Sequence, residues 1–277
     1  MVDQTSAPKE LYDWQKEKQP FQFGRVMNRA FAGLFKNIKY ILGAIVIVFL
    51  VSTALSAPMY FVDISDPVTS SLSWLYLVTS ILSLISFFFL MMFISVFADH
   101  LAFASFTNKK PGFKAPFLRS LKLALPVLFV VILYIIATYA GMFLLIIPGV
   151  IISVGWIVIG PAYLHEETSL FGSFGRSWQL TSGYKWWVWL ATIVMGLIVG
   201  LLFSVAAVLI STLSMGAIAT SDMSVGFSTT SFLGGLIFSL LIYLTFALYA
   251  SFTTALYTEL RELKEGPLAE EMSAVFD

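Results

Sequence analysis

The sequence predicts an all-α, polytopic membrane protein with six transmembrane helices, cytoplasmic interfacial amphipathic helices and both termini in the cytoplasm. Three observations carry that expectation. The chain of 277 residues is 58% hydrophobic and only 12% charged, about half the charge of a soluble domain. The runs 40–62, 67–98, 123–164, 186–221 and 223–258 contain no Asp, Glu, Lys, Arg or His. Each exceeds the roughly 20 apolar residues that a helix needs to cross a bilayer. Finally, all 16 Lys and Arg residues fall in four segments, whereas 58–73 and 214–230 hold Asp63, Asp66 and Asp222 but no basic residue. Under the positive-inside rule the basic segments are cytoplasmic and the other two external.

Residues 1–22 read as a flexible cytoplasmic tail of mixed charge, followed by a single membrane domain over 23–264 and a short cytoplasmic tail over 265–277. No cleavable leader is expected, because the first apolar run lies behind some 39 residues of mixed charge. The membrane domain opens on FGRVMNRAFAGLFKNIKYIL. Val26, Met27, Ala30, Phe31, Leu34, Phe35 and Ile38 recur there at helical spacing, and Arg25, Asn28, Arg29, Lys36 and Lys39 take the other face. Two uses share this pattern: a helix lying among anionic headgroups, or a helix packed on the ends of the bundle. The first two spans follow at about 40–62 and 74–98.

The run from Leu123 to Leu164 is about 42 residues, twice what one crossing needs. Both its flanks carry basic residues, so it must cross an even number of times. Pro148 and Gly149 offer the hairpin turn, since proline suits the first position of a new helix and glycine folds tightly. This gives spans at 122–147 and 149–165. Pro161 is expected to kink or loosen the fourth span. A weaker amphipathic stretch, APFLRSLKLALP, precedes the third.

The segment TSLFGSFGRSWQLTSGYKWWVW reads as another basic amphipathic helix. Thr168 or Ser169 would cap it, and Gly183 would end it. Arg176, Lys185, Trp186 and Trp187 are expected at the lipid interface, alongside Arg25, Arg29, Lys36 and Lys39. FGR occurs at both Phe23–Arg25 and Phe174–Arg176, a hint of a repeated unit. The fifth span, 187–213, carries Gly196 and Gly200 as GxxxG. The sixth, 229–260, carries Gly235 and Ser239 in a series of small residues. Small residues let helices approach closely in lipid, so packing within the chain is the default and homodimerisation the alternative.

Chemistry has few places to reside. Cysteine is absent, which excludes disulfides and thiolate sites. No ionisable residue other than tyrosine is predicted within the core of a span, which argues against an ion-coupled transporter. Asp99 and His100 end the second span and His165, Glu166 and Glu167 the fourth, so His100, His165 and Glu166 are the candidates for a metal site. The ordinary reading is that polar residues gather where helices leave the membrane. No P-loop, HExxH, GxSxG or dinucleotide fingerprint occurs. No cofactor, metal or nucleic-acid partner is expected.

FGRVMNRAF, the block LLIIPGVIISVGWIVIGPAYLHEE running into GSFGRSWQLTSGYKWW, and TALYTELRELKEG together resemble a bacterial group. It comprises the membrane domain associated with glycerophosphoryl diester phosphodiesterases and the YciC-like inner-membrane proteins. The resemblance implies a six-span protein of the bacterial inner membrane. It does not imply the hydrolytic activity, which belongs to a separate soluble barrel of about 200 residues or more; the longest stretch outside the predicted spans has 39. The expected function is therefore non-enzymatic: a scaffold or regulator engaging anionic membrane lipid, or an unidentified protein partner, through basic amphipathic helices. The alternative is movement of a lipid or apolar solute through a cavity between helices. A membrane-embedded enzyme using the interfacial histidines comes third.

Overall fold

The structure, a computed structural model, describes residues 20–56, 73–107, 109, 112–166, 168–219 and 223–266. For 56, 73, 75–76, 206, 209–210, 213–219 and 223–236 it describes the backbone alone. Most of both expected tails, nearly all of the expected external stretch 58–73 and residues 220–222 of the other, 214–230, lie outside the described residues; the rest of 214–230 is helical backbone.

Among the described residues there is no strand, and nine helices follow one another. They are α1 (Phe23–Lys36), α2 (Ile38–Ser56), α3 (Ser73–Phe106), α4 (Lys114–Leu144), α5 (Ile146–Gly155), α6 (Ile159–His165), α7 (Leu170–Thr181), α8 (Lys185–Ala219) and α9 (Met223–Glu265). Six stretches are long and apolar enough to cross a membrane: Ile38–Leu55, Leu77–Phe106, Lys114–Leu144, Ile146–His165, Lys185–Val205 and Ile237–Glu265. The chain is a multi-pass, all-helical membrane protein.

The helix α9 forms the centre, lying against α1, α3 and α8, while α3 also contacts α2 and α4. Every residue of α9 from Ala250 to Leu260 is buried, the mark of a helix surrounded on all sides. Its small residues Ala247, Ser251 and Ala255 are buried, and Ser251 donates its hydroxyl to the Ala30 carbonyl of α1 at 2.7 Å. Phe93 and Phe97 of α3 pack edge-on against Phe117 of α4 at 4.9 and 6.0 Å. The outward faces are the reverse of a soluble protein's: Phe143, Leu144, Leu145, Ile146 and Ile147 at the α4–α5 hairpin are 68–92% exposed. Such a run is costly in water and favourable in lipid.

Several boundaries differ from the sequence reading. The turn between the third and fourth spans falls at Leu145, whose backbone is extended (φ −159°, ψ 137°), and not at Pro148–Gly149. Pro148 lies in the first turn of α5, where its missing N–H costs nothing. Gly149 instead permits a close crossing, for a Cβ there would lie 2.5 Å from the Met142 backbone nitrogen of α4. The amphipathic stretch before the third span is no separate helix but the first turns of α4. The second, third and sixth spans run on past their apolar runs as continuous helix, α3 to Phe106, α4 from Lys114 and α9 to Glu265.

Candidate functional site

The ends of α3, α6 and α9 and the starts of α1, α4 and α8 meet at one end of the bundle, together with α7. Most of the described charge lies there. Glu259 of α9 is the focus. Its side chain is fully buried, and its carboxylate accepts Arg25 Nε at 2.5 Å, Arg25 Nη2 at 2.7 Å and the Gln22 backbone N–H at 3.2 Å. Arg29 lies 3.6 Å from the same carboxylate and 2.9 Å from that of Glu262. Forked guanidinium pairing of this kind is strong, and its geometry fixes orientation as well as energy. It sets α1 on α9 with Val26, Ala30 and Leu34 buried. The packed chain begins before residue 23, since Phe21 is buried and stacks on Trp187 at 6.3 Å.

A second arginine reaches α9 from the other basic helix. Arg176 of α7 pairs with Glu166 (Nη2 to Oε1, 3.0 Å) and with Glu265. Tyr257 donates its hydroxyl to Glu166 at 2.8 Å, and Arg261 pairs with Glu265 at 3.2 Å. Burial opposes charge on Arg176, but hydrogen bonds to the Glu166 and Glu265 carboxylates outweigh it and raise its pKa above the ordinary arginine value. It stays a cation throughout the physiological range. Both FGR arginines, Arg25 and Arg176, thus end on carboxylates of the C-terminal helix.

The block 144–181 is organised around a break in the fourth span. Pro161 lacks the N–H that would bond the Ile157 carbonyl, and the helix opens over Trp156–Val158, one turn upstream. Ile159 then donates to Trp156 at 3.2 Å, which leaves the Gly155 carbonyl without its helical donor. Ser177 Oγ at 2.9 Å and Thr181 Oγ1 at 3.1 Å, both on α7, donate to it. Gly155 also meets Trp178 closely: a Cβ would lie 2.4 Å from that ring. Trp156 packs edge-on against Phe174 at 5.0 Å. α7 begins at a Ser169 cap that accepts the Gly172 N–H at 3.0 Å and ends before Gly183, whose φ of +87° suits glycine. Beside the break is a cavity of about 140 Å³ between α3, α4, α6 and α9, lined by Asp99, Tyr134, Trp156, Pro161, Phe246 and Tyr249 among others.

The two histidines do come near each other, with ring centroids 5.8 Å apart. Each is already engaged. His165 Nε2–H donates to Asp99 at 2.5 Å and its ring stacks on Phe103 at 3.8 Å. His100 Nδ1–H donates to the Val96 carbonyl at 2.7 Å, and its buried Nε2 has no hydrogen-bond partner among the described residues. Glu166 is held by Arg176 and Tyr257. Among the described residues no group of three or more His, Cys, Asp or Glu side chains is placed to hold a metal ion.

The remaining expected interface residues divide by type. Arg25, Arg29 and Arg176 point at carboxylates, whereas Lys36 and Lys39 are exposed. Trp186 is 70% exposed and stacks on Trp189, and Trp187 faces Phe21. Gly196 and Gly200 pack against no described side chain of the chain. Both are exposed, and among the described residues a Cβ on either meets nothing within 4 Å. Gly235 lies where only the backbone is described, and Ser239 is half-buried.

Sequence reasoning missed three parts of this arrangement. Glu259 and Glu262, spaced i, i+3 near the end of α9, were the available signal for a face that collects arginines. Asn37, buried at the α1–α2 junction, donates from Nδ2 to Ser105 Oγ at 2.7 Å and to the Gly33 carbonyl at 2.8 Å. The pairing of Ser177 and Thr181 with Gly155 had no sequence signal, because it depends on where the span breaks. No family model matches the chain, and neither a curated protein nor a solved structure does.

Proposed function

We propose that the chain is a non-enzymatic scaffold or regulator of the bacterial inner membrane, with its charged end and both termini cytoplasmic, that engages anionic phospholipid through exposed lysines. The observation that carries this reading is the sorting of cations. Arginines 25, 29 and 176 are spent on Glu259, Glu262, Glu166 and Glu265. Lys36, Lys39, Lys114, Arg119 and Lys122 are exposed and pair with no carboxylate among the described residues. Tyr40 and Phe113, with ring centroids 6.4 Å apart, bring the starts of α2 and α4 side by side, so these cations share one rim. Each basic residue near an anionic membrane surface contributes about 1 kcal/mol. The kinship with the bacterial membrane-domain group, suggested by the sequence motifs, belongs to the same proposal. The test is native mass spectrometry of the full chain released from nanodiscs of phosphatidylcholine with a minority of phosphatidylglycerol. Enrichment of phosphatidylglycerol over its bulk proportion is expected; retention in bulk proportion would sink the reading.

The cavity beside the broken fourth span favours a second reading, binding or passage of a small apolar molecule. Broken helices in membrane proteins are tolerated where they line a cavity, and this one is walled by α3, α4 and α9 as well. Quenching of Trp156 fluorescence by a brominated hydrocarbon, absent when Gly160 is replaced by a bulky residue, would favour it over the scaffold reading.

A further inference from the structure

A separate groove lies between α5 and the start of α8, with a volume of about 240 Å³. Val150, Ile151, Val154, Trp186 and Trp189 give it apolar walls, and Lys185 is the charged group in its lining. Lys185 pairs with no carboxylate among the described residues. Its Nζ lies 3.3 Å from the centroid of the Trp178 ring, so a cation–π contact covers one side of the ammonium and leaves N–H donors for an outside acceptor. The neighbouring cations are committed elsewhere: Arg176 to Glu166 and Glu265, and Lys264 to the Gln179 carbonyl. Trp186 and Trp189 stack at 4.9 Å beside the lysine, and tryptophan of this kind belongs at headgroup level.

Lys185 borders an almost wholly apolar groove while its ammonium sits over the Trp178 indole. An apolar slot and a cation without a carboxylate partner among the described residues thus adjoin, as the acyl chain and phosphodiester of an anionic phospholipid do. We propose that this groove binds an anionic phospholipid, with the phosphodiester on Lys185 and one acyl chain along Val150, Ile151 and Val154. The site deepens the lipid-binding reading above and rests on it, but uses none of the lysines of the α2–α4 rim. A lipid seated there touches both α5 and α8, and so ties the broken fourth span to the fifth.

The experiment uses the full chain in phosphatidylcholine nanodiscs doped with phosphatidylglycerol, with retained lipid counted by native mass spectrometry. Lys185→Gln should weaken retention of one phosphatidylglycerol about fivefold, the equivalent of one basic contact, and Lys185→Arg should restore it. Ile151→Trp fills the groove from its exposed rim without touching the charge, and should displace the same lipid. Lys36→Gln/Lys39→Gln should leave it bound. Unchanged retention in both Lys185→Gln and Ile151→Trp would overturn the site while leaving rim binding intact. Displacement of the lipid by millimolar inorganic phosphate would also overturn it, since a free anion would then be the occupant. Loss of all phosphatidylglycerol enrichment in the unaltered protein would refute both proposals together.

Discussion

Arg25 and Glu259 form an unequal pair, and the inequality gives an asymmetric prediction. Glu259 is fully buried whereas Arg25 is about one-third exposed. Removing the arginine strands a carboxylate in the interior, with, among the described residues, the Gln22 N–H at 3.2 Å and Arg29 at 3.6 Å left to hold its charge. Breaking a buried pair from one side costs about 3–5 kcal/mol, and the two remaining donors place this case at the lower end, about 3 kcal/mol. Removing the carboxylate is milder. Arg25 can turn to water or to Glu262, already 3.9 Å away, and the loss is that of one charged hydrogen-bond set, about 1.5–3 kcal/mol. Replacing both by apolar residues removes the desolvation penalty with the attraction. Arg25→Ala should therefore lower the apparent melting temperature in detergent by about 6–12 °C, taking about 2–4 °C per kcal/mol. Glu259→Gln should cost less, and Arg25→Met/Glu259→Leu should recover most of the loss. Scanning tryptophan fluorescence at a fixed heating rate measures all three. A Glu259→Gln defect larger than that of Arg25→Ala, or an Arg25→Ala protein as stable as the original, would refute the reasoning.

Two further outcomes follow from the fold. Gly155→Ala should destabilise by about 1–3 kcal/mol through overpacking, because its Cβ would lie 2.4 Å from the Trp178 ring; Gly155→Ala/Trp178→Leu should melt closer to the original. For topology, a cysteine introduced between 58 and 71 should react with an impermeant maleimide from the outside of intact cells, while one beside Lys109 should not. Labelling of both from the same side would reject the positive-inside assignment.

The architecture was legible because membrane burial leaves a coarse signal. Charge-free runs longer than a bilayer give the number of spans, and the even-crossing argument divided 123–164 correctly into two. The helix ends were less legible. An apolar run marks where a helix leaves lipid, but α3, α4 and α9 continue beyond it because their polar turns pack on one another. The turn was misplaced by three residues, since Pro148 can sit within the first turn of α5 as readily as at its start. The site was legible only in part. Amphipathic spacing marked α1 and α7 but could not say whether their arginines face lipid or protein, because the same pattern serves both. Glu259 decides that, and its partners are more than 230 positions away in sequence. The FGR recurrence turned out to have a shared geometry, with both arginines on the carboxylates of α9. Small residues divided in a way their spacing could not tell: Ala247, Ser251 and Ala255 are buried, Gly196 and Gly200 exposed.

The division between carboxylate-paired arginines and exposed rim cations is tested most directly by comparing two charge-matched variants, Lys36→Gln/Lys39→Gln and Arg25→Gln/Arg29→Gln. The measurement is the number of phosphatidylglycerol molecules retained by the monodisperse protein from mixed nanodiscs. The lysine variant should lose anionic lipid while melting like the original protein, and the arginine variant should keep its lipid while melting lower. Equal loss of lipid from both would mean that total charge governs binding, and would contradict the division of roles drawn from the structure.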